Sequence, residues 1–112
     1  MPHTSRQLHL NLLFNNAGNY SSAWRWPDSD PGAFFDVGYY QRTAQLVEKG
    51  TFDAIFFSDS LALNDTPEHR PFQSLEPSIL LASIAAVTKH IGLIATISSS
   101  YNDPFNIARR FA

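Results

Sequence analysis

Apolar positions along the chain follow two rhythms, short nearly unbroken runs and longer stretches with helical spacing. Leu8 to Phe14 is apolar apart from Asn11 and predicts a strand, ending in the turn-prone run Asn15, Asn16, Ala17, Gly18 and Asn19. A long polar stretch to about Pro31 follows, holding Trp24, Arg25, Trp26, Pro27 and Asp28; its two tryptophans argue for an ordered, functional loop. From about Asp36 to Lys49 the spacing is helical. Tyr40, Ala44 and Val47 share one face, Arg42, Gln45 and Lys49 the other, and Gly50 is expected as the left-handed stop. Phe52 to Ser58 predicts a strand covered on both faces, as in parallel sheets. Asp59 opens a second polar loop to Glu76. Pro77 suits the first turn of a helix with Leu80, Ile84 and Val87 as its buried stripe, and Ala82, Ala85 and Ala86 as a smooth side for a neighbouring helix. Ile91 to Ile97 predicts a third strand, and Pro104 starts a helix that runs about two turns to Ala112.

This β-α-β-α-β-α order predicts an α/β fold with parallel strands and right-handed crossovers. A doubly wound nucleotide-binding sheet would carry a glycine-rich turn directly after its first strand. Here that place reads Asn15-Asn16-Ala17-Gly18-Asn19-Tyr20, and the next helix is distant. Long polar and aromatic loops after every strand, with a short turn from Lys49 into Phe52, fit a (β/α)8 barrel better.

The 112 residues suffice for a single small domain, and 44% hydrophobic with 16% charged residues is the composition of a folded soluble protein. A net charge of −2 supplies no basic field for nucleic acid or an anionic membrane. No cysteine is present, so disulfides and thiolate metal sites are excluded. The polar amino terminus lacks a secretory apolar stretch, and no window approaches the ~18 apolar residues of a membrane helix. A cytoplasmic location is the expectation.

In a parallel α/β protein, ligands bind at the carboxyl ends of the strands. Three places qualify: Asn15, Asn16 and the tryptophan loop after strand one; Ser58, Asp59 and Ser60 after strand two; Thr96, Ser98, Ser99, Ser100, Tyr101 and Asn102 after strand three. These groups are hydrogen-bonding and aromatic, suited to holding a polar planar cofactor that carries the reaction itself. Each also has a plainer reading. Asp59 by itself is a common turn cap, the threonine and serines are ordinary strand-end residues, and the tryptophans could pack the loop onto the barrel. His3, His9, His69 and His90 lack ligand-like spacing. Ser58, Asp59 and His69 make a triad only on paper, with no nucleophile elbow.

Several stretches together resemble one family. They are Leu8–Leu12, Ala23–Asp30 through Trp24-Arg25-Trp26-Pro27, Phe52–Ala62 through Ser58-Asp59-Ser60, Leu75-Glu76-Pro77, Ile91–Thr96, Tyr101-Asn102-Asp103-Pro104-Phe105 and Ala108–Ala112. In this order they resemble the nitrilotriacetate and dibenzothiophene-sulfone monooxygenase group of the bacterial luciferase-like flavin-dependent monooxygenases. The resemblance implies that residues 1–112 are a single partial domain, the truncated N-terminal β-α-β-α-β-α portion of a TIM-type barrel. It implies a two-component enzyme. A separate NAD(P)H:flavin reductase supplies reduced FMN, and the flavin with O2 oxygenates a small organic substrate containing N or S. A homo-oligomer is the expected assembly. Asp59 and Thr96 match the family's flavin-contacting positions, and Asn15, Trp24, Trp26 and Tyr101 are substrate-pocket candidates; the catalytic residues are unassigned and no metal is expected. Relatives carry His at the position of Trp26 and Ala at that of Ser58, so the substrate is not transferable from one of them. Alone, the piece is expected to be inactive, with unpaired strand edges and an uncovered barrel-facing side. The alternatives are a deazaflavin-dependent oxidoreductase of the same superfamily and a non-catalytic, self-associating remnant.

Overall fold

The apolar run after the first long helix becomes β2 (Ala54–Phe57), the middle strand of a three-stranded sheet in a computed structural model that describes residues 6–15, 18–20, 22–62 and 75–112. Strands β1 (Asn11–Leu13) and β3 (Gly92–Ala95) flank it, both parallel to it. Register is continuous across the sheet: Leu12 pairs with Ile55 and Ile55 with Leu93, Leu13 with Phe56 and Phe56 with Ile94. Each strand is shorter than the apolar run that announces it, although ladder bonds from the Asp53 N–H to the Leu10 carbonyl (2.9 Å) and from the Phe14 N–H to the Phe56 carbonyl (3.0 Å) carry the pairing past both ends of β1. Asn16, His3, His69 and the 63–74 part of the second polar loop lie outside the described residues, and with His69 goes the paper triad.

Helices α1 (Val37–Lys49) and α2 (Pro77–Ala85) cover one face of this sheet. Side chains alternate along a strand, so odd-numbered positions of β2 share that face. Ile55 and Phe57 pack there with Tyr40, Ala44, Leu80, Leu81, Ile84 and Ile91, and Leu12, Phe14 and Ala95 close the cluster. Full burial of Ile55 and Ile84 contributes about 1.5–3 kcal/mol each. The even-numbered face is different. Leu13 (50% exposed), Phe56 (half-buried) and Ile94 (40% exposed) form one registered apolar row that no described element covers. Helix α3 (Pro104–Phe111), capped by the Asp103 carboxylate accepting from the Phe105 N–H, has no buried residue and leaves Phe105 and Phe111 exposed.

Two local expectations change. The helix-facing stripe of α1 holds at Tyr40 and Ala44, but Gly50 has φ −75° and is not left-handed; Thr51 is, at φ 60°. The Thr51 N–H bonds the Glu48 carbonyl (2.9 Å) and the Phe52 N–H bonds the Val47 carbonyl (3.3 Å), the paired bonds of a Schellman stop one residue later than the glycine. A β-branched residue in that region costs about 1–2 kcal/mol, and glycine gives part of it back through its freer unfolded state. Thr51→Gly is therefore expected to raise unfolding stability by about 0.5–1 kcal/mol, read from urea midpoints at unchanged m; an unchanged or lower midpoint would contradict the strain. The second change concerns α2. Ala82, Ala85 and Ala86 are exposed, while α1 ties to the end of α2 and the segment after it through Gln41 and Gln45, whose amides donate to the Ser83 (3.0 Å) and Val87 (3.2 Å) carbonyls. The Ser83 carbonyl belongs to the last turn of α2, which lacks intrahelical donors and so accepts the Gln41 amide.

The amino ends of the strands are pinned by two carboxylates. Glu48 Oε1 accepts from the backbone N–H groups of Lys89, His90 and Ile91 at 2.8, 2.6 and 3.0 Å, and these bonds hold its pKa below the usual range. Asp53 accepts from the Leu10 N–H (2.7 Å) and contacts the His9 ring at 3.0 Å, its pKa lowered by His9 first and Leu10 next. Gly92 completes this end: a Cβ there would sit 2.9 Å from the Asp53 carbonyl, so the approach of β3 to β2 requires glycine. Among the described residues no helix is long and apolar enough to cross a membrane.

Candidate functional site

Parallel pairing puts the carboxyl ends of β1, β2 and β3 at one end of the sheet, and the segments that leave them carry the candidate residues. The ladder between β2 and β3 continues one bond beyond the strands, from the Thr96 N–H to the Phe57 carbonyl (3.3 Å). Thr96 therefore stays in register, on the even-numbered face with Ile94. Its Oγ1 accepts the Asp59 backbone N–H at 2.6 Å. The two residues singled out as a cofactor pair thus lie together at the tips of adjacent strands. Thr96 has used one lone pair as an acceptor, and its O–H remains able to donate. The Asp59 carboxylate meets no donor among the described residues.

A wall of aromatic rings holds the tips of β1 and β2 from the helix side. Phe14 stacks on Phe57 (5.1 Å between centroids, 18° between planes) and contacts Tyr40 at 4.9 Å and Tyr39 at 5.8 Å. Tyr40, almost fully buried, donates its O–H to the Phe34 carbonyl at 3.0 Å and so ties the end of the tryptophan loop to this wall. Phe57 immediately precedes Ser58 and Asp59, so the wall fixes where the Asp59 backbone begins.

The tryptophan loop is structured by short 3-10 turns, Ala23–Arg25 and Pro31–Phe35, the second capped by Asp30 accepting from the Gly32 N–H at 2.9 Å. Backbone bonds from Trp26 to Ala23 and from Ser29 to Trp26, with the Ser29 hydroxyl donating to the Trp24 carbonyl at 2.6 Å, close the loop on itself. It encloses an open pocket of about 460 Å³ lined by Tyr20, Ser22, Ala23, Trp26, Asp28 and Ser29. Trp26 is on the pocket wall. Trp24 is not: its ring lies half-buried under the Arg25 guanidinium at 4.8 Å, with its indole N–H buried and unpartnered among the described residues.

Asn15 follows β1 and donates its amide to Asn19 Oδ1 at 3.3 Å, which holds the turn and directs the chain into the loop. Tyr101 is exposed at the far side, on a bend where the Asn102 amide donates to the Ser98 carbonyl at 2.9 Å. Tyr20, Asp28 and Ser29 are pocket residues that sequence reasoning missed. The loop has no periodicity to assign its sides, and only the aromatic character of Tyr20 hinted at a role. At the end of the second loop, the Glu76 carboxylate caps α2 through the Ile79 N–H (2.8 Å) and meets Arg110 at 3.7 Å. Among the described residues no three His, Cys, Asp or Glu converge on a metal-sized space.

Comparison with known proteins places this geometry in context. Residues 8–112 match the family described as luciferase-like monooxygenase. The chain is 34% identical over 120 aligned residues to nitrilotriacetate monooxygenase component A of Aminobacter aminovorans, covering 96% of this chain and 26% of that protein. It is 39% identical over 120 to dibenzothiophene-sulfone monooxygenase of Rhodococcus erythropolis strain XP, with the same coverage of 96% and 26%. Among solved structures, the EDTA monooxygenase of Chelativorans sp. BNC1 superposes with a TM-score of 0.84 at 30% identity, over 94% of this chain and 26% of that one. A riboflavin lyase solved with modified FMN and riboflavin superposes with a TM-score of 0.79 at 28% identity, over 94% and 26%. The chain spans about a quarter of the length of these relatives. Its open parallel sheet is the counterpart of part of a TIM-type barrel.

Proposed function

Because this chain belongs to the luciferase-like monooxygenase family, we propose that it supplies the first three βα units of a flavin-dependent monooxygenase barrel, with Asp59 and Thr96 holding the flavin at the barrel mouth. The observation that carries this reading is the bond from the Asp59 N–H to Thr96 Oγ1, which couples the tips of two parallel strands. It brings together a residue whose carboxylate has no donor among the described residues and a hydroxyl that can still donate. The edge of an isoalloxazine ring offers both N–H donors and carbonyl acceptors, and the apolar row Leu13, Phe56 and Ile94 on the same sheet face suits a planar, largely apolar body. The residues present therefore fit a flavin.

Reduced FMN supplied by a separate NAD(P)H:flavin reductase would bring the chemistry, activating O2 to oxygenate a small organic substrate containing N or S. This chain's own residues do the rest. Asp59 and Thr96 orient the ring, the aromatic wall behind them keeps the Asp59 backbone from moving, and the apolar sheet face keeps water from the reacting side. Trp26 and the pocket beside it lie in the loop that leaves the same end of the sheet, where a substrate would approach. The intact enzyme works in the cytoplasm as a homo-oligomer on this reading.

A sheet with one apolar face uncovered does not make a closed mouth. Residues 1–112 alone are expected to bind FMN at least a hundredfold more weakly than a complete-barrel polypeptide carrying the segment, either its own continuation or the remaining three-quarters of the EDTA monooxygenase joined after position 112. Quenching of flavin fluorescence measures both, and oxygenation of a thioether and amine panel with a reductase present measures activity. Tight FMN binding by the short chain would contradict the partial-barrel reading. A folded complete barrel that neither binds reduced FMN nor oxygenates any substrate would contradict the flavin reading.

A further inference from the structure

The pocket in the tryptophan loop is a site with its own chemistry. Its volume of about 460 Å³ is that of a small-molecule pocket. Two of its walls are aromatic, and neither is used in packing: Tyr20 is 81% exposed and Trp26 69% exposed. Among the described residues its one charged lining group is the Asp28 carboxylate, and it meets no cation there. The neighbouring cation, Arg25, lies over Trp24 and is not part of the lining. The loop backbone is hydrogen-bonded to itself through Trp26, Ser29 and the Trp24 carbonyl, so these groups are held before a guest arrives.

From this arrangement we propose that the pocket formed by Tyr20, Trp26 and Asp28 recognises an organic ammonium group on an apolar or aromatic body, and disfavours a carboxylate. Aromatic faces attract a cation through their quadrupole, and a carboxylate at the rim completes the pairing. An anionic group would meet the same aromatic faces and a like charge, with no donor cation among the described lining residues to offset them. The proposal names the substrate class for the monooxygenase reading and rests on it for its link to catalysis, while binding itself is testable without flavin.

Three probes of one shape and different charge separate the possibilities: benzylammonium, benzyl alcohol and phenylacetate. The two indole N–H resonances of the ¹⁵N-labelled chain report the site, assigned by Trp26→Phe. Benzylammonium is expected to shift the Trp26 resonance saturably, with Trp24 moving less, and to bind about tenfold more tightly than phenylacetate. Asp28→Asn is expected to bring the two within about twofold while leaving benzyl alcohol unchanged, and Asp28→Lys to reverse the order. Phenylacetate binding as tightly as benzylammonium, a preference that survives Asp28→Asn, or no shift at Trp26 would overturn the proposal. FMN binding by the complete barrel is scored separately. Loss of the ammonium preference with flavin binding intact removes this inference alone, and the preference without any flavin binding removes the monooxygenase reading instead.

Discussion

Phe57→Ala is expected to cost about 3–5 kcal/mol of unfolding stability, the largest effect of any single substitution considered. Phe57 is 5% exposed, stacks on Phe14 at 5.1 Å, meets Tyr40 at 6.0 Å and belongs to the cluster that joins both helices to the central strand. Truncation removes its own transfer energy and leaves a cavity, because Ile55, Leu80 and Ile84 are fixed by the sheet and α2 and cannot close over it. A small domain has about 5–15 kcal/mol in total, so the variant should show a much lower urea midpoint or no folded baseline. Phe57→Leu, which keeps most of the apolar volume, should recover more than half of the loss. Wild-type stability in Phe57→Ala would mean that the aromatic wall does not hold the strand tips.

The second large effect falls on the cofactor. In the complete barrel, Thr96→Val is expected to weaken reduced-FMN binding about tenfold or more, and Thr96→Ser to change it less than threefold. The hydroxyl has two partners on this account: it accepts the Asp59 N–H at 2.6 Å and donates to the flavin. Losing the flavin bond costs about 0.5–1.5 kcal/mol, and the Asp59 N–H left without its acceptor adds about 1–3 kcal/mol. Part of that second cost falls on folding, which separates this position from Asp59. Asp59→Ala removes only the open carboxylate, so its flavin affinity should fall with stability nearly unchanged. Equilibrium titration of FMN under anaerobic reduction, beside urea unfolding, reads both quantities. Flavin affinity within twofold of wild type in Thr96→Val and Asp59→Ala would remove both residues from the site.

Much of this arrangement was legible in the sequence, and the parts that were not have a common cause. Strand and helix order and the parallel sheet follow from local periodicity and from the alternation of strands with helices. Asp59 and Thr96 could be named because the family resemblance points to both and each falls near the carboxyl end of a predicted strand. Their bond could not, since it joins residues 37 apart and depends on the register between two strands. The same holds for Glu48, whose carboxylate gathers three N–H groups from the segment before β3, some forty positions away. Thr51 in place of Gly50 as the left-handed residue is a smaller lesson. Glycine marks where a stop is easy, but the carbonyls available to the Thr51 and Phe52 N–H groups fix where it falls. The tryptophan loop was the hardest to read because no periodicity sorts its side chains, and only coordinates set Trp26 on the pocket wall and Trp24 under Arg25.

The flavin account rests on one guest shared by Asp59 and Thr96. A crystal structure of the complete barrel grown anaerobically with reduced FMN tests it most directly. The expected result is an isoalloxazine ring within hydrogen-bonding distance of Thr96 Oγ1 and the Asp59 carboxylate, lying over the sheet face that carries Leu13, Phe56 and Ile94. A flavin bound with neither side chain in contact, or on the helix-covered face, would contradict it.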